Sequence, residues 1–396
     1  MRVAILGVGG VGRTLASELR NDERVDSLVL VDKIADRAKV LAGMRGRVVI
    51  EARQADVDSR ELVTRAIRKC DIVVNATLPR YNLTIMAAAV DAGANYLDLA
   101  ASGPKEPGGR PGILEQLDLH DRFKAAGLTS LLSMGLDPGI SNVLARESAD
   151  KLDAIDAVRI RSGGVVRLPG FTAFPLYSRE AFLSDILIPP TVWDDGALRE
   201  REPLGEEEEF LFPDPVGKQR TFLISHEEVK TLPLYLGKPV RRVDFKYALD
   251  PHLVNALLSL DRLGLLDDKR MIRLGNQLIP FRRALLAAFP EPSALVLPLE
   301  GTKVVTVEVE GAKAGERKVH RSDIVLSHQE ANRRRSTTAV YYMTAVGAAI
   351  GTVLIGEKAL PGPGVYPPEV LEPARVLKEW AARDLAVTRS ERAVAA

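Results

Sequence analysis

The apolar positions change period within the first thirty residues. Val3, Ile5 and Leu6 form a short apolar run, and Leu15, Ala16 and Leu19 then recur at helical spacing. Between them stands Gly7-Val8-Gly9-Gly10-Val11-Gly12, and a second apolar run, Leu28-Val29-Leu30-Val31, ends in Asp32. This order predicts a strand, a glycine turn, a helix and a second strand. The alternation continues. Strands are expected over 48–52, 72–75, 96–99 and 129–133. Helices are expected around 35–41, over 59–69 (capped by Asp58 or Ser59), 83–92 (capped by Asn82), 113–126 and 141–151. Strand and helix in strict turn imply an α/β fold, a Rossmann-type doubly wound parallel sheet.

Beyond position 151 the period falls to two. Residues 156–162 and 304–310 alternate apolar and polar, and 241–247 does so more loosely. Such strands have one covered face and belong to a mixed or antiparallel sheet. Helices are expected over 252–266 and 277–289, a hairpin loop over 311–315, and a solvated acid run at Glu206 to Glu209. Residues 339–356 and 369–386 return to the helical pattern. The expected division is a dinucleotide-binding domain over 1–150 and an inserted α+β substrate and dimerisation domain over 151–335. C-terminal helices over 336–386 return to the first domain, and the tail 387–396 lacks order. The Gly/Pro-rich 102–112 suits neither helix nor strand and reads as a flap or a plain surface loop.

Charge narrows the partners. With 54 basic and 53 acidic residues there is no basic face for nucleic acid. The single cysteine, Cys70, cannot form an internal disulfide and fits a reducing, cytoplasmic setting; its place before Ile72 suggests packing. A strand beginning at position 2 leaves no room for a leader. The uncharged stretch 339–356 follows Arg333-Arg334-Arg335 but only just reaches the roughly 18 residues of a membrane span. Its Thr344, Gly347, Gly351 and Thr352 suit close packing against another helix, so no membrane is expected. The five histidines (120, 226, 252, 320, 328) lack ligand spacing, so no metal is expected, and no GxxxxGK[ST] phosphate loop occurs.

The glycine stretch supports a dinucleotide. Gly7 permits the turn, Gly9 lets backbone approach a pyrophosphate, and Gly12 lets helix and strand pack closely. The helix N-terminus offers unpaired N–H groups. Asp32 stands where an acid receives ribose hydroxyls, which favours NAD over NADP, although Lys33 and Arg37 soften that preference. Asn75 and Thr77 close the fourth strand at a position where ligands bind in such sheets, and Asp137 does so after the sixth. Asp137 can equally cap the following helix ahead of Pro138.

These residues resemble the saccharopine dehydrogenase family, in its saccharopine reductase and L-lysine 6-dehydrogenase branch. The resemblance rests on Gly7 to Gly12, Asn75-Ala76-Thr77-Leu78-Pro79 with Tyr81-Asn82, and Tyr96-Leu97-Asp98. Gly135-Leu136-Asp137-Pro138-Gly139-Ile140 carries it furthest. His226-Glu227-Glu228, Thr231-Leu232-Pro233, Met343-Thr344-Ala345 and Gly364-Val365-Tyr366-Pro367-Pro368-Glu369 extend it over nearly the whole chain. It implies a Rossmann domain interrupted by a substrate domain, and NAD(P)-dependent chemistry at a C–N bond. Gly7, Gly9, Gly10, Val11, Gly12 and Asp32 would hold pyrophosphate and ribose, and Asp56-Val57 the adenine. Asn75, Ala76 and Thr77 would line the nicotinamide ribose, with Leu136, Asp137 and Pro138 beside the ring. The chain departs from the family pattern at 102–112 and 171–209, which leaves the substrate open.

Oxidation of an amine carbon needs a neutral amine and hence a proton acceptor. Asp137, His226, Glu228, Tyr81 and His120 are candidates, with Asp137, His226 and Tyr81 foremost. A substrate carboxylate would want an arginine fork, for which Arg179, Arg241 and Arg242 are available, and Glu228 is a further expected substrate contact. The expected protein is a homodimeric oxidoreductase acting on a lysine-type amino acid. Two alternatives are reductive joining of an aldehyde to a diamine, as in carboxynorspermidine formation, and a non-catalytic dinucleotide sensor.

Overall fold

A computed structural model describes residues 1–43, 46–103, 109–171, 174–267, 269–294 and 299–393. Six strands open the chain: β1 (Arg2–Leu6), β2 (Ser27–Asp32), β3 (Val49–Gln54), β4 (Ile72–Asn75), β5 (Asn95–Asp98) and β6 (Thr129–Leu131). They pair in parallel in the order 6-5-4-1-2-3, with the late strand Gly364–Tyr366 added beside β6. The order reverses between β1 and β4, and a crevice opens there beyond the strand ends. Val3 to Leu6 and Leu28 to Val31 are fully buried because helices cover both sheet faces.

The second sheet is mixed. Its strands are β7 (Ala154–Arg167), β8 (Thr191–Asp194), β9 (Ala197–Glu200), β10 (Glu208–Leu211), β11 (Lys218–Leu223) and β12 (Val240–Ala248). A separate small hairpin, β13 (Met271–Leu274) and β14 (Gln277–Pro280), precedes β15 (Glu300–Lys313) and β16 (Glu316–Ser327). The main path runs 10-11-12-7-15-16, with β7 and β12 parallel and the other neighbours antiparallel. Strand parity divides its faces. Ile160, Ser162, Val243, Phe245, Tyr247, Lys303, Val305 and Val307 share one face, and Arg159, Arg161, Asp244, Lys246, Thr306 and Glu308 share the other.

The structure corrects several expectations. The helix expected over 113–126 is two short helices, Gly112–Leu117 and His120–Ala125. Residues 277–280 extend the small hairpin, and only Phe281–Ala288 is helical. The loop expected over 311–315 shrinks to a tight turn at Ala314-Gly315, because β15 runs on to Lys313 through a register shift at Gly311. The tail is no loose end: Thr388–Ala393 pairs antiparallel with β16, whose edge was open. The acid run is not simply solvated either. Glu208 bonds the buried Arg161 and Lys246, and Glu206 pairs with Arg242 and Arg201. Part of the 102–112 segment lies outside the described residues.

The uncharged helix Ala339–Gly356 is 83% buried inside the fold. Its small residues have assigned neighbours. A Cβ at Gly347 would stand 2.2 Å from the Gly135 carbonyl oxygen, and one at Gly351 would meet Leu97, Met134 and Leu131. The helix therefore presses on the turn that carries Asp137. Cys70 is buried beside β4, as packing requires.

Candidate functional site

Two adjacent regions make up the site. The first is a cleft of about 960 Å³ over the reversal of strand order. Gly7, at φ +88°, turns the chain out of β1, and a Cβ there would meet the Ala76 carbonyl oxygen at 2.8 Å. A Cβ at Gly12 would lie 1.9 Å from the Gly7 carbonyl oxygen, so helix and strand touch through backbone. Gly9 differs: a Cβ there meets nothing, and no side chain caps the helix Gly10–Leu19. Open space, bare N–H groups and the positive end of a helix suit a diphosphate. The cofactor fits the residues present.

Gly7, Gly9, Gly10, Val11, Asp32, Asp56, Val57, Ala76 and Thr77 line this cleft. Asp32 is more than a ribose hook. Its two oxygens accept the Val8 and Ile34 N–H groups, each at 2.8 Å, so the carboxylate first shapes the glycine turn. A carboxylate has further lone pairs for a hydroxyl. Lys33 pairs with Asp56 at 2.8 Å. Gly12 sits behind the turn, outside the lining. Asn75 also lies outside it: buried, it donates to Asn82 and Tyr96 and accepts from Thr77, thereby shaping the loop after β4. Asn82 donates onward to the Ala100 carbonyl instead of capping its helix.

The second region lies where the mixed sheet meets the ends of β5 and β6. Asp137 does not cap the helix Ile140–Asp150; Gly139 holds that position, its N–H donating to the Asn142 side-chain oxygen at 2.8 Å. Asp137 instead accepts from Ser162 at 2.5 Å and stands 3.5 Å from the Lys303 ammonium. Lys303, 3% exposed, also donates to Ser162 and lies 5.0 Å over the Tyr247 ring. His226 stacks on Phe245 with ring centroids 3.6 Å apart and bonds Glu228 through Nδ1. Glu228 is fully buried and accepts from Ser141 at 2.7 Å. Glu227 reaches across to the Ala101 N–H, beyond β5.

Burial by itself would push the His226 imidazole down. The Glu228 charge and hydrogen bond, with Glu227 and Asp137 behind them, outweigh it and carry the imidazole up to about 9. Burial likewise acts to raise Glu228, but His226 and Ser141 hold it below the usual carboxylate range. The site thus carries a cationic imidazole at neutral pH. Burial and the Glu227 charge push Asp185, bonded to Tyr177, up to about 7. Glu369, on the late Pro-Pro-Glu stretch, is buried and raised to about 7, with Asn142 and Thr231 donating to one of its oxygens.

Other predicted residues stand elsewhere. Tyr81 lines the dinucleotide cleft near Val57 and Asp56, held by Arg80, and not beside Asp137. Arg241 is 74% exposed and pairs loosely with Asp195 on the surface. Arg179 faces the dinucleotide cleft, and Arg242 belongs to the salt-bridge set on the far sheet face. His120 packs edge-on against Tyr366. Leu136 is buried in the core beneath the turn and Pro138 is buried too, so Asp137 is the partly exposed residue between them. Ser162, Lys303, Tyr247 and Asp185 escaped the sequence reading. For Ser162, Tyr247 and Lys303 strand parity with 160 and 305 was the available signal, whereas Asp185 stands on the helix Arg179–Leu187 and carried none.

Comparison with known proteins agrees with this architecture. Residues 3–131 match the saccharopine dehydrogenase NADP binding domain, and residues 135–385 match the saccharopine dehydrogenase C-terminal domain. A carboxynorspermidine synthase of Vibrio cholerae is 28% identical, over 94% of this chain and 93% of its own. A carboxyaminopropylagmatine dehydrogenase of Synechocystis is 24% identical over the same shares. The saccharopine dehydrogenase (L-Glu forming) of Saccharomyces cerevisiae superposes with a TM-score of 0.71 over both whole chains at 14% identity, a likeness of fold. Glycine turn, buried acid–imidazole cluster and two matched domains together place the chain in the saccharopine dehydrogenase family, as a nicotinamide-dinucleotide-dependent oxidoreductase.

Proposed function

We propose that the protein reductively joins a carboxylate-bearing aldehyde to a cationic amine, forming a secondary amine. The observation that carries this reading is the cluster Asp137–Lys303–His226–Glu228, closed against the ends of β5 and β6. The names of the Vibrio and Synechocystis relatives support the substrate class.

The amine arrives protonated and must lose a proton before it attacks the aldehyde carbon. Asp137, bonded to Ser162 and facing Lys303, is the acceptor. The adduct then loses its hydroxyl as water, and His226, held cationic by Glu228, supplies the proton. A reduced nicotinamide dinucleotide held at the Gly7 to Gly12 turn and Asp32 would supply the hydride that the C=N carbon needs. Lys303 is the cation available to the carboxylate, since Arg241 is on the surface and Arg179 faces the other cleft. Carboxylates Asp137, Asp185 and Glu227 suit an amine with a second positive charge.

Oxidation of a lysine-type amine is the second reading, because the same acid–base set serves the reverse direction. Absorbance at the reduced-nicotinamide band separates the two. Consumption of NADPH or NADH only with an aldehyde plus a diamine or agmatine supports the first. Oxidation of L-lysine or saccharopine alone would replace it with the second. Dinucleotide binding with no turnover on any of these would favour the sensor.

A further inference from the structure

The dinucleotide cleft has a second wall, built from the other domain. Ser178, Arg179 and Glu180 stand at the start of the helix Arg179–Leu187. Arg283 and Leu286 lie on Phe281–Ala288, and Glu291 follows. Arg179 donates to the Phe289 carbonyl and to the Glu291 carboxylate, each at 2.8 Å. The guanidinium is 26% exposed and the carboxylate 54%, so the acid is the outer partner.

Tyr341 marks where these charges meet. Its ring covers Gly10, where a Cβ would lie 2.4 Å away. Burial and the charge of Glu291 raise the phenol, while Arg13 and Arg179 oppose them. Arg13, Arg179 and Glu291 line the same cleft as Tyr341, Gly9 and Gly10, so a carboxylate and two guanidinium groups share it with the bare N-terminus of Gly10–Leu19. A diphosphate seated there brings two negative charges. A guanidinium fork recognises phosphate and carboxylate oxygens by the same paired geometry.

We propose that Glu291 is a built-in competitor of the cofactor's diphosphate for Arg179. With the cleft empty, the carboxylate holds one arm of the guanidinium and the Phe289 carbonyl holds the other. When a dinucleotide binds, its diphosphate takes Arg179, and Glu291 turns out to solvent. This assigns Arg179 to the cofactor rather than to a substrate carboxylate, and makes the exchange part of cofactor loading and release. It rests on the dinucleotide part of the proposed function and not on the amine.

The test is titration of NADPH and NADH by cofactor fluorescence, without amine or aldehyde, on four proteins: unsubstituted, Glu291→Gln, Arg179→Met and the double variant. Arg179→Met should weaken binding by about tenfold or more. Glu291→Gln should tighten it several-fold in the unsubstituted background and change nothing beside Arg179→Met, because a competitor without its fork has no effect. Inorganic pyrophosphate should displace the dinucleotide at lower concentration from Glu291→Gln than from the unsubstituted protein, which isolates the diphosphate contact. Weaker or unchanged binding in Glu291→Gln, or an equal gain in both backgrounds, would overturn the competition. No dinucleotide binding to the unsubstituted protein would overturn the cofactor reading as well.

Discussion

The glycine turn and the acid–imidazole cluster lie in neighbouring parts of one site but are built on opposite principles. The turn works through backbone. Gly7, Gly9 and Gly12 contribute space, close approach and N–H groups, and only Asp32 adds a side chain, which itself bonds backbone. The cluster works through side chains in a desolvated setting, where each charge needs a partner: His226 with Glu228, Lys303 with Asp137. Backbone sites are local because consecutive residues build them. Charged clusters are long-range, because burial draws partners from wherever the fold can supply them. Here those partners come from positions 137, 162, 226, 228 and 303.

The contrast can be broken by separate lesions. The largest effect is expected from Asp137→Asn: kcat falls by about 10² to 10⁴, the range for a lost general base, with dinucleotide affinity unchanged. A parallel fall in affinity would show that the two halves are not separate. Gly9→Val should do the reverse. It fills the open space above the helix end, so NADPH affinity drops on the order of 100-fold while the unfolding midpoint stays put. Gly12→Val meets the Gly7 carbonyl and should cost about 1–3 kcal/mol of stability in urea unfolding, with binding lost as a consequence.

Glu228→Gln sharpens the electrostatic side. His226 has its folded pKa raised from 6.5 to about 9, so its contribution to stability is full below about pH 6.5 and is lost as pH rises through about 9. Removing the Glu228 charge should return the imidazole towards its ordinary range, read by NMR titration, and flatten that decline. An unmoved imidazole would mean that Glu228 does not set its charge. The smallest effect belongs to Arg241→Ala: an exposed arginine outside both halves should change stability by no more than about 0.5 kcal/mol and leave turnover intact. Lost activity there would restore Arg241 to the substrate site.

Much of the first sheet was legible because its strands are short, apolar and separated by helical spacing. The boundaries of β1, β2 and β4 fall within a residue or two of the pattern. The segment 277–289 misled because Leu278 and Ile279 fit a helical stripe as well as a strand, and only pairing with β13 decides between them. Asp137 was singled out but with a cap as its rival. The choice turned on Asn142, whose carbonyl oxygen takes the Gly139 N–H and leaves the aspartate to face Ser162. Tyr81 was a candidate proton acceptor, yet the short helical turn at Pro79–Tyr81 places it in the lining of the dinucleotide cleft.

What the chain by itself determined is the alternation of elements, the glycine turn and the acid closing β2, since these follow from steric rules acting over a few residues. The tertiary structure alone decided which of the many acids, lysines and histidines share a dry pocket. His226 and Glu228 are near neighbours in sequence, but the other buried groups find their partners far along the chain, 166 residues away for Asp137 and Lys303, and no local spacing records that choice. Lys303 meeting Asp137 and the late Glu369 meeting Asn142 are both products of packing.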